Sequence, residues 1–478
     1  MFTLNRDVGG IRTGELKGFS SVKTPCFFAT SDFGGGGTNV ARFLAYSDLL
    51  KSTNIQLLLN YYYLDIESDL SPRFDTQIVE EFSKLTDVEE LINAIKNRYL
   101  NHEDAVKVYE YTDKAWKPMV LLDSGSGNIL RNKIRKGELT KENHEEVYSS
   151  IVHDFLEFLS KHKFDIGIAM DFAEKNTYKA GERKNPEYIK QVEYFSSLNF
   201  ELLDLTLKVM KNDVTPAMNI FAPLHGNSLA EYEAYLRKIL EIEKTEKVRF
   251  SGFAIGGLGN PNIANREKWN LPESVNGKVK ASLYLYKVIN LIRSVLKDEK
   301  DDRPIHVLGA ASPYNLISLL LAGADTFDCH SAWRRASDGN EKSKVVLSGN
   351  YTSDDLAKAN FSKILVPLLD TEGNVIEGNA GKYLKFIHLN KISKHLNFDS
   401  AITRIYSIQK IIELYCGNRE QNYFAKVLIY CHALHQYDAI CRKMSDMKTE
   451  KEIEEFIARL PSCPFKSNLL TFRNLTHN

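Results

Sequence analysis

The sequence predicts an α/β protein, and within that class a (β/α)8 TIM barrel, on three observations. Eight short apolar runs rich in β-branched and aromatic residues precede residue 330, the segments between them mostly carry a helical period, and the runs are nearly continuous in hydrophobicity. Strands of that kind joined by helices describe a parallel sheet covered on both faces, and eight of them close most simply into a barrel. An open doubly wound sheet is the competing architecture, because strand count alone does not prove closure.

The first run, TPCFFAT (24–30), leads into GGGG at Gly34 to Gly37. With no Gly-x-Gly-x-x-Gly after the strand and no Lys-Ser/Thr behind the glycines, this reads as a flexible or tight loop rather than a phosphate cradle. The second run is IQLLLNY (55–61) and the third MVLLD (119–123). The stretch between them is far longer than an ordinary connection and includes a helix-like region near 76–98, so an insertion over about 65–118 on the top face fits it. FDIGIAMD (164–171) and AMNIFAPL (217–224) follow as the fourth and fifth runs. Ser228 with Glu231 then forms a capping-box pattern ahead of a helical stripe of Tyr232, Tyr235, Leu236, Ile239 and Leu240. The sixth and seventh runs are RFSGFAIGG (249–257) and IHVLGA (305–310); Ser312-Pro313 starts a helix and Gly323 stops it. ADTFDC (324–329) is the eighth run. Beyond about residue 385 the strand pattern gives way to helical stretches such as SAITRIYSIQKIIELY, so residues 1–385 read as the barrel domain and 386–478 as a C-terminal helical region.

Composition narrows the function classes. The 62 Lys and Arg balance 62 Asp and Glu, and 43% of residues are hydrophobic, which excludes a disordered tail, a collagen-like repeat and a histone-like polycation. The balance argues against blanket attraction to nucleic acid, although a local basic patch would not show in a sum. The longest apolar run, around Leu316 to Ala324, is interrupted by Ser318 and falls well short of the roughly 20 residues a membrane helix needs. The start MFTLNRDVGG lacks the order of a secretory signal, so a cytoplasmic location is expected. Cys26, Cys329, Cys416, Cys431, Cys441 and Cys463 are scattered without a Cys-x-x-Cys pair, which argues for reduced thiols.

In such a barrel the active site lies at the C-terminal ends of the strands. The residues there are Asn60, Asp123, Asp171, His225, Gly256, Gly257, Gly309 and Asp328. Each aspartate alone also reads as a helix cap or loop anchor. Three carboxylates on one mouth divide naturally into nucleophile, acid/base and substrate acceptor, the set that glycosyl chemistry most often requires.

The motifs around these positions resemble those of the tRNA-guanine transglycosylase (queuine tRNA-ribosyltransferase) family. Thr24-Pro25 resembles the family's TPVFMP, Asn60 to Leu64 its NTYHL, and PMVLLDSGSGN (118–128) its PxLTDSGGFQ. FDIGIAMD resembles DIVMAFDE, GFAIGGL (252–258) is similar to GYAIGGL, HVLGAASP resembles YLMGVGKP, and GADTFDC resembles GIDMFDC. The matches run in chain order over roughly residues 22–335. The resemblance implies exchange of a guanine base in nucleic acid for a 7-deazaguanine such as preQ0. It implies Asp328 as nucleophile at the ribose C1′, Asp123 as general acid/base and Asp171 as the carboxylate that reads the guanine-like edge. It also implies a base pocket of Ser124, Asn128, His225, Gly256, Gly257, Leu258, Leu308 and Gly309, where glycine lets backbone approach a ligand.

Departures from the family pattern mark this chain. Gly127-Asn128 stands where the family has an aromatic residue and Gln, His225-Gly226 replaces Gln-Gly, and Leu308 replaces a Met. His225 also reads as a loop-capping residue. The family's Cys-x-Cys-x-x-Cys zinc motif is absent; Cys431 and His435 stand at i and i+4 and could share a helix face, with Cys416 and His432 nearby, but they read more simply as helix-packing residues, so no cofactor is expected and a structural zinc is the alternative. Arg131, Lys133, Arg135 and Lys136 follow Asp123, and Arg334-Arg335 follows Asp328. Such runs are usually solvated faces, but their placement favours contacts to phosphates around a flipped nucleotide. The missing zinc motif, altered pocket and insertion resemble the family's DNA-modifying 7-deazaguanine branch, so DNA is the favoured polymer and tRNA the alternative. A homodimer is what the resemblance implies for tRNA binding. A non-catalytic scaffold subunit and an unrelated barrel hydrolase are the rival readings; retention of both Asp328 and Asp123 argues against the scaffold.

Overall fold

The computed structural model describes residues 1–30, 43–44, 46–63, 87–90, 92–93, 116–172, 185–213, 218–256, 277–337, 362–376, 385–389, 392, 398 and 400–460. The chain opens with an antiparallel sheet absent from the sequence expectation: β1 (Phe2–Val8), β2 (Ile11–Lys17) and β3 (Ser21–Thr24), in that order. β1 and β3 alternate with exposed positions, and the sheet carries Arg6, Asp7, Arg12, Glu15 and Lys17, which mask the apolar alternation that a buried strand displays.

The barrel follows as β4 (Cys26–Thr30), β5 (Gln56–Asn60), β6 (Val120–Asp123), β7 (Ile166–Ile168), β8 (Asn219–Leu224), β9 (Gly252–Ile255), β10 (Ile305–Val307) and β11 (Thr326–Asp328). Every neighbouring pair is parallel, and β11 pairs with β4 to close the ring, so the open-sheet alternative does not hold. Each strand lies inside one of the eight expected runs but is shorter, because residues at one or both ends of each run lie outside the parallel ladder. Alternation explains why the runs look apolar throughout. Cys26, Phe28, Leu58, Leu121, Ile166, Ile168, Phe221 and Ala254 fill the interior, while Phe27, Ala29, Leu57, Leu59, Val120, Leu122, Ile220 and Ala222 face the outer layer.

The N-terminal sheet closes the floor of the barrel. Leu16, Val22 and Phe2 join the interior cluster, and two buried carboxylates at strand starts tie the sheet down. Asp165 accepts from Ser20 N at 2.6 Å and from Val120 N at 2.9 Å. Asp325 accepts from Arg12 Nε at 3.1 Å and from Ile305 N at 2.8 Å, and it also contacts Arg293. Burial pushes the Arg293 guanidinium down to about 10, with Asp325 opposing the shift. Asp165 is raised by burial, partly offset by its hydrogen bonds.

Helices cover the outside: α1 (Ser126–Lys136), α2 (His144–Lys161), α3 (Pro186–Ser197), α4 (Asn199–Asp213), α5 (Leu229–Glu246), α6 (Gly277–Asp298), α7 (Pro313–Leu321) and α8 (Ser331–Ser337). The expected start of α5 is present: Ser228 Oγ accepts from Glu231 N at 3.1 Å, while the Glu231 carboxylate reaches back to Asn227 N at 2.7 Å. Pro313 opens α7, and Gly323, at φ +92°, follows its end. A small antiparallel pair, β12 (Lys363–Leu365) and β13 (Phe386–His388), precedes α9 (Ala401–Ile405), α10 (Ile408–Cys416), α11 (Arg419–Asp446) and α12 (Glu450–Arg459).

Helix α11 is apolar on nearly every side, with Phe424, Leu428, Tyr430, Cys431, Leu434 and Tyr437 all buried, as a helix enclosed by its neighbours requires. It lies along the outer wall of β4. The Tyr437 ring meets Phe27 at 4.6 Å between centroids, Tyr430 Oη donates to Thr30 O at 3.2 Å, and Asp438 Oδ1 accepts from Asn54 N at 2.9 Å. The region read as C-terminal helical thus shares one continuous core with the barrel. Most of the expected insertion lies outside the described residues; its end is anchored by buried Trp116, whose N and Nε1 donate to Asp48 Oδ1 at 2.8 Å and Ile55 O at 3.1 Å. Among the described residues, no helix is long and apolar enough to cross a membrane.

Candidate active site

All three aspartates lie at the C-terminal rim of the barrel. Asp123 ends β6 and is in register with Asn60 at the end of β5, whose Nδ2 donates to Asp123 Oδ2 at 2.8 Å. The chain then turns sharply into α1 through Gly125 at φ +61°. A Cβ at that position would stand 2.5 Å from Asn60 Oδ1 and 2.7 Å from Tyr62 Cβ, so only glycine lets the turn pass over the Asn60–Asp123 pair.

Asp171 stands just beyond the end of β7 and is held by the same turn. Ser126 Oγ donates to Asp171 Oδ1 at 2.9 Å and accepts from Asp171 N at 3.2 Å, while Ser124 Oγ donates to Ser126 Oγ at 3.2 Å. The loop carrying Asp123 therefore positions Asp171 as well. Against the other carboxylate oxygen of Asp171 lies Nε2 of His225, from the loop after β8. A Cβ on Gly256 would be 2.7 Å from His225 Cε1, so the glycine at the end of β9 is required by the imidazole. Tyr232 Oη donates to Gly256 O at 3.0 Å and fixes that backbone. His225 is thus wedged between Asp171 and Gly256, with the Tyr235 ring 6.2 Å away edge to face.

Asp328 ends β11 and is nearly buried, at 4% exposure. Its Oδ1 accepts from Gly309 N at 2.9 Å and sits 3.2 Å from His306 Nε2; Oδ2 has no hydrogen bond among the described residues. Gly309 has φ +67°, with open space where a Cβ would stand, so it is the left-handed backbone that calls for glycine here. Cys329, next to Asp328, is buried; burial pushes its thiol up to about 11, which keeps it a poor nucleophile near neutrality.

Other expected site residues are placed as follows. Leu308 packs partly buried against the barrel interior, and Asn128 N donates to Gly125 O at 2.8 Å in the first turn of α1. Gly257, Leu258 and the Gly34–Gly37 loop lie outside the described residues. Arg135 and Lys136 are exposed at the end of α1, and Arg334 and Arg335 on α8. Lys133 pairs with Glu138 at 3.5 Å. Arg131 is turned back over the Phe172 ring at 5.9 Å, and its Nε and Nη2 are buried without a hydrogen-bond partner among the described residues. The histidines of α11 are engaged elsewhere. His432 bonds Ser400 Oγ at 2.9 Å and Leu365 O at 2.8 Å, and His435 bonds Leu49 O at 2.8 Å.

Two residues in these networks escaped the sequence reading. Ser126 sits inside the PMVLLDSGSGN motif, but its partner Asp171 follows a different strand, so the pairing has no local signal. His306 was legible in principle: in IHVLGA it alternates with Val307, and Val307 faces outward, which turns the imidazole into the barrel.

A closed parallel barrel with three carboxylates on its C-terminal rim, each tied by directed hydrogen bonds or an ion-pair contact, defines a TIM-barrel protein with an acidic, enzyme-type mouth. Comparison with protein families identifies which barrel this is. The family model for TGT, queuine tRNA-ribosyltransferase, matches residues 7–370, and the chain belongs to that family of transglycosylases.

Proposed function

We propose that the protein exchanges guanine in nucleic acid, with DNA the favoured polymer, for a 7-deazaguanine of the preQ0 type. The observation that carries this reading is the disposition of Asp328: one oxygen is anchored by Gly309 N at 2.9 Å while the other has no hydrogen bond among the described residues, on the same rim as Asp123. In the first half-reaction the free oxygen of Asp328 bonds to C1′ of a flipped nucleotide. The glycosidic C1′–N bond breaks, its electron pair goes to guanine, and Asp123 supplies the proton. In the second, the incoming base attacks C1′, its ring proton passes to Asp123, and the C1′–O bond pair returns to Asp328. Two displacements at one carbon restore configuration, and the atoms and electrons balance without a cofactor.

Asp171 is the acceptor for the donor edge of the base, since a carboxylate offers two oxygens to adjacent N–H groups. His225 occupies one of them here, so base binding requires the ring to yield or to share the edge. Gly256→Ala would push the ring off Asp171. Its expected effect is a fall in KM for the free base of roughly tenfold, because Asp171 no longer has to give up a contact to the imidazole before it accepts the base, with kcat less affected. Steady-state kinetics with varied base concentration check this; an unchanged KM would show that His225 placement is irrelevant to the base.

Arg334 and Arg335, exposed on α8 shortly after Asp328, offer a basic rim for phosphates beside the mouth, so affinity should fall as salt rises, whereas Arg135 and Lys136 lie at the far end of α1, which runs back from the Asp123 rim. The preference for DNA rests on the missing Cys-x-Cys-x-x-Cys motif and on Gly127, Asn128 and His225 in the pocket. Labelled guanine offered with duplex DNA, single-stranded DNA and tRNA in parallel tests it. Label entering DNA and chased out by a 7-deazaguanine is the expected result; label entering tRNA alone would overturn the DNA assignment.

A further inference from the structure

Among the described residues, His306 is the titratable side chain that bonds Asp328 and that the exchange scheme above does not use. It is fully buried on β10, in register with Thr326 of β11. Its Nδ1 is 2.9 Å from Thr326 Oγ1 and its Nε2 is 3.2 Å from Asp328 Oδ1. Phe28 meets the ring edge to face at 5.5 Å and 89°, which fixes its plane. Thr326 and Asp328 are two apart on one strand and so share its inward face. The Thr326 hydroxyl donates to Nδ1, which leaves the ring proton on Nε2, directed at the carboxylate; this proton assignment follows from the network.

We propose that His306 is a positioning residue for Asp328, an inference that rests on the exchange reaction above. Together with Gly309 N it binds Oδ1, selecting Oδ2 as the atom that attacks C1′. It also acts on the second displacement. In the glycosyl ester Oδ1 is a carbonyl oxygen, a weaker acceptor than a carboxylate oxygen, so both donors favour the carboxylate over the ester. As the C1′–Oδ2 bond breaks and its electron pair delocalises onto Oδ1, the His306 and Gly309 hydrogen bonds strengthen. Loss of the imidazole therefore slows release of the ester more than its formation.

The test compares His306→Leu, which removes both ring nitrogens, with His306→Gln, which retains an amide donor, in the full-length chain with guanine-containing polynucleotide and free base. For the Leu variant the expected result is a fall in kcat of roughly 10- to 100-fold, the loss of one charge-assisted hydrogen bond. Its KM for the base should stay within about twofold, because the group touches no base. The fraction of enzyme trapped as covalent adduct during turnover should rise, and the Gln variant should recover most of the rate. An adduct fraction that falls in step with kcat, or a Gln variant no better than Leu, overturns the proposal. If the Leu variant does not fold, Thr326→Val carries the test: a lower kcat with more trapped adduct supports the assignment, and wild-type values for both overturn it. Wild-type enzyme that forms no adduct with any polynucleotide would instead overturn the exchange reaction itself.

Discussion

Asp328→Asn is expected to abolish covalent capture of polynucleotide and to lower base exchange by roughly 10⁴-fold or more, as loss of a nucleophile does. The substitution is chosen because it preserves the surroundings. The amide oxygen can accept from Gly309 N and His306 Nε2 as Oδ1 does now, so the floor of the mouth should keep its shape. The amide nitrogen has no lone pair available for attack. Cys329 cannot take over, because burial pushes its thiol up to about 11. An unchanged urea midpoint alongside lost exchange would place the effect on chemistry; exchange within tenfold of wild type would remove Asp328 from the mechanism.

The second large effect concerns stability in acid. Burial pushes both His432 and His435 down to about 4, against 6.5 when unfolded. Their folded values are depressed, so the unfolded chain binds protons first as pH falls. Stability is full above about pH 6.5 and drains away towards pH 4, by about 3 kcal/mol for each histidine and about 6 kcal/mol for the pair. Both sit on α11, where they bond Leu365 O of β12 and Leu49 O of the segment before β5, so the loss should open the contacts between that helix and these two segments. Asp165 and Asp438, raised by burial, act in the opposite sense and return part of the loss at the acid end of the window. Urea midpoints measured at intervals from pH 7 to pH 4 check this. A midpoint that does not move across that range contradicts it, and replacing both histidines by Gln should flatten the curve.

The eight barrel strands were legible because each is buried on both faces and so reads as an unbroken apolar run. The N-terminal sheet was not, since its charged outward residues hide the alternation, and its role as a floor depends on Asp165 and Asp325, which sit at the bottom of strands read only for their tops. Asp123, Asp171 and Asp328 could be found by asking what ends each strand. Their partners could not. Ser126 meets Asp171 only because β6 and β7 are neighbours, and His306 was hidden inside a run read as core. His432 and His435 show the converse: spacing on one helix face raises a metal question, whereas each ring bonds a backbone carbonyl of a different segment.

Covalent attachment of the polynucleotide to Asp328 is the step on which base exchange depends. Incubating the protein with guanine-containing DNA, denaturing it, digesting it and sequencing the adducted peptide by mass spectrometry reads the point of attachment. The expected result is a single adduct on Asp328, lost in Asp328→Asn and discharged by added 7-deazaguanine; an adduct on another residue, or full exchange with no adduct at all, would contradict it.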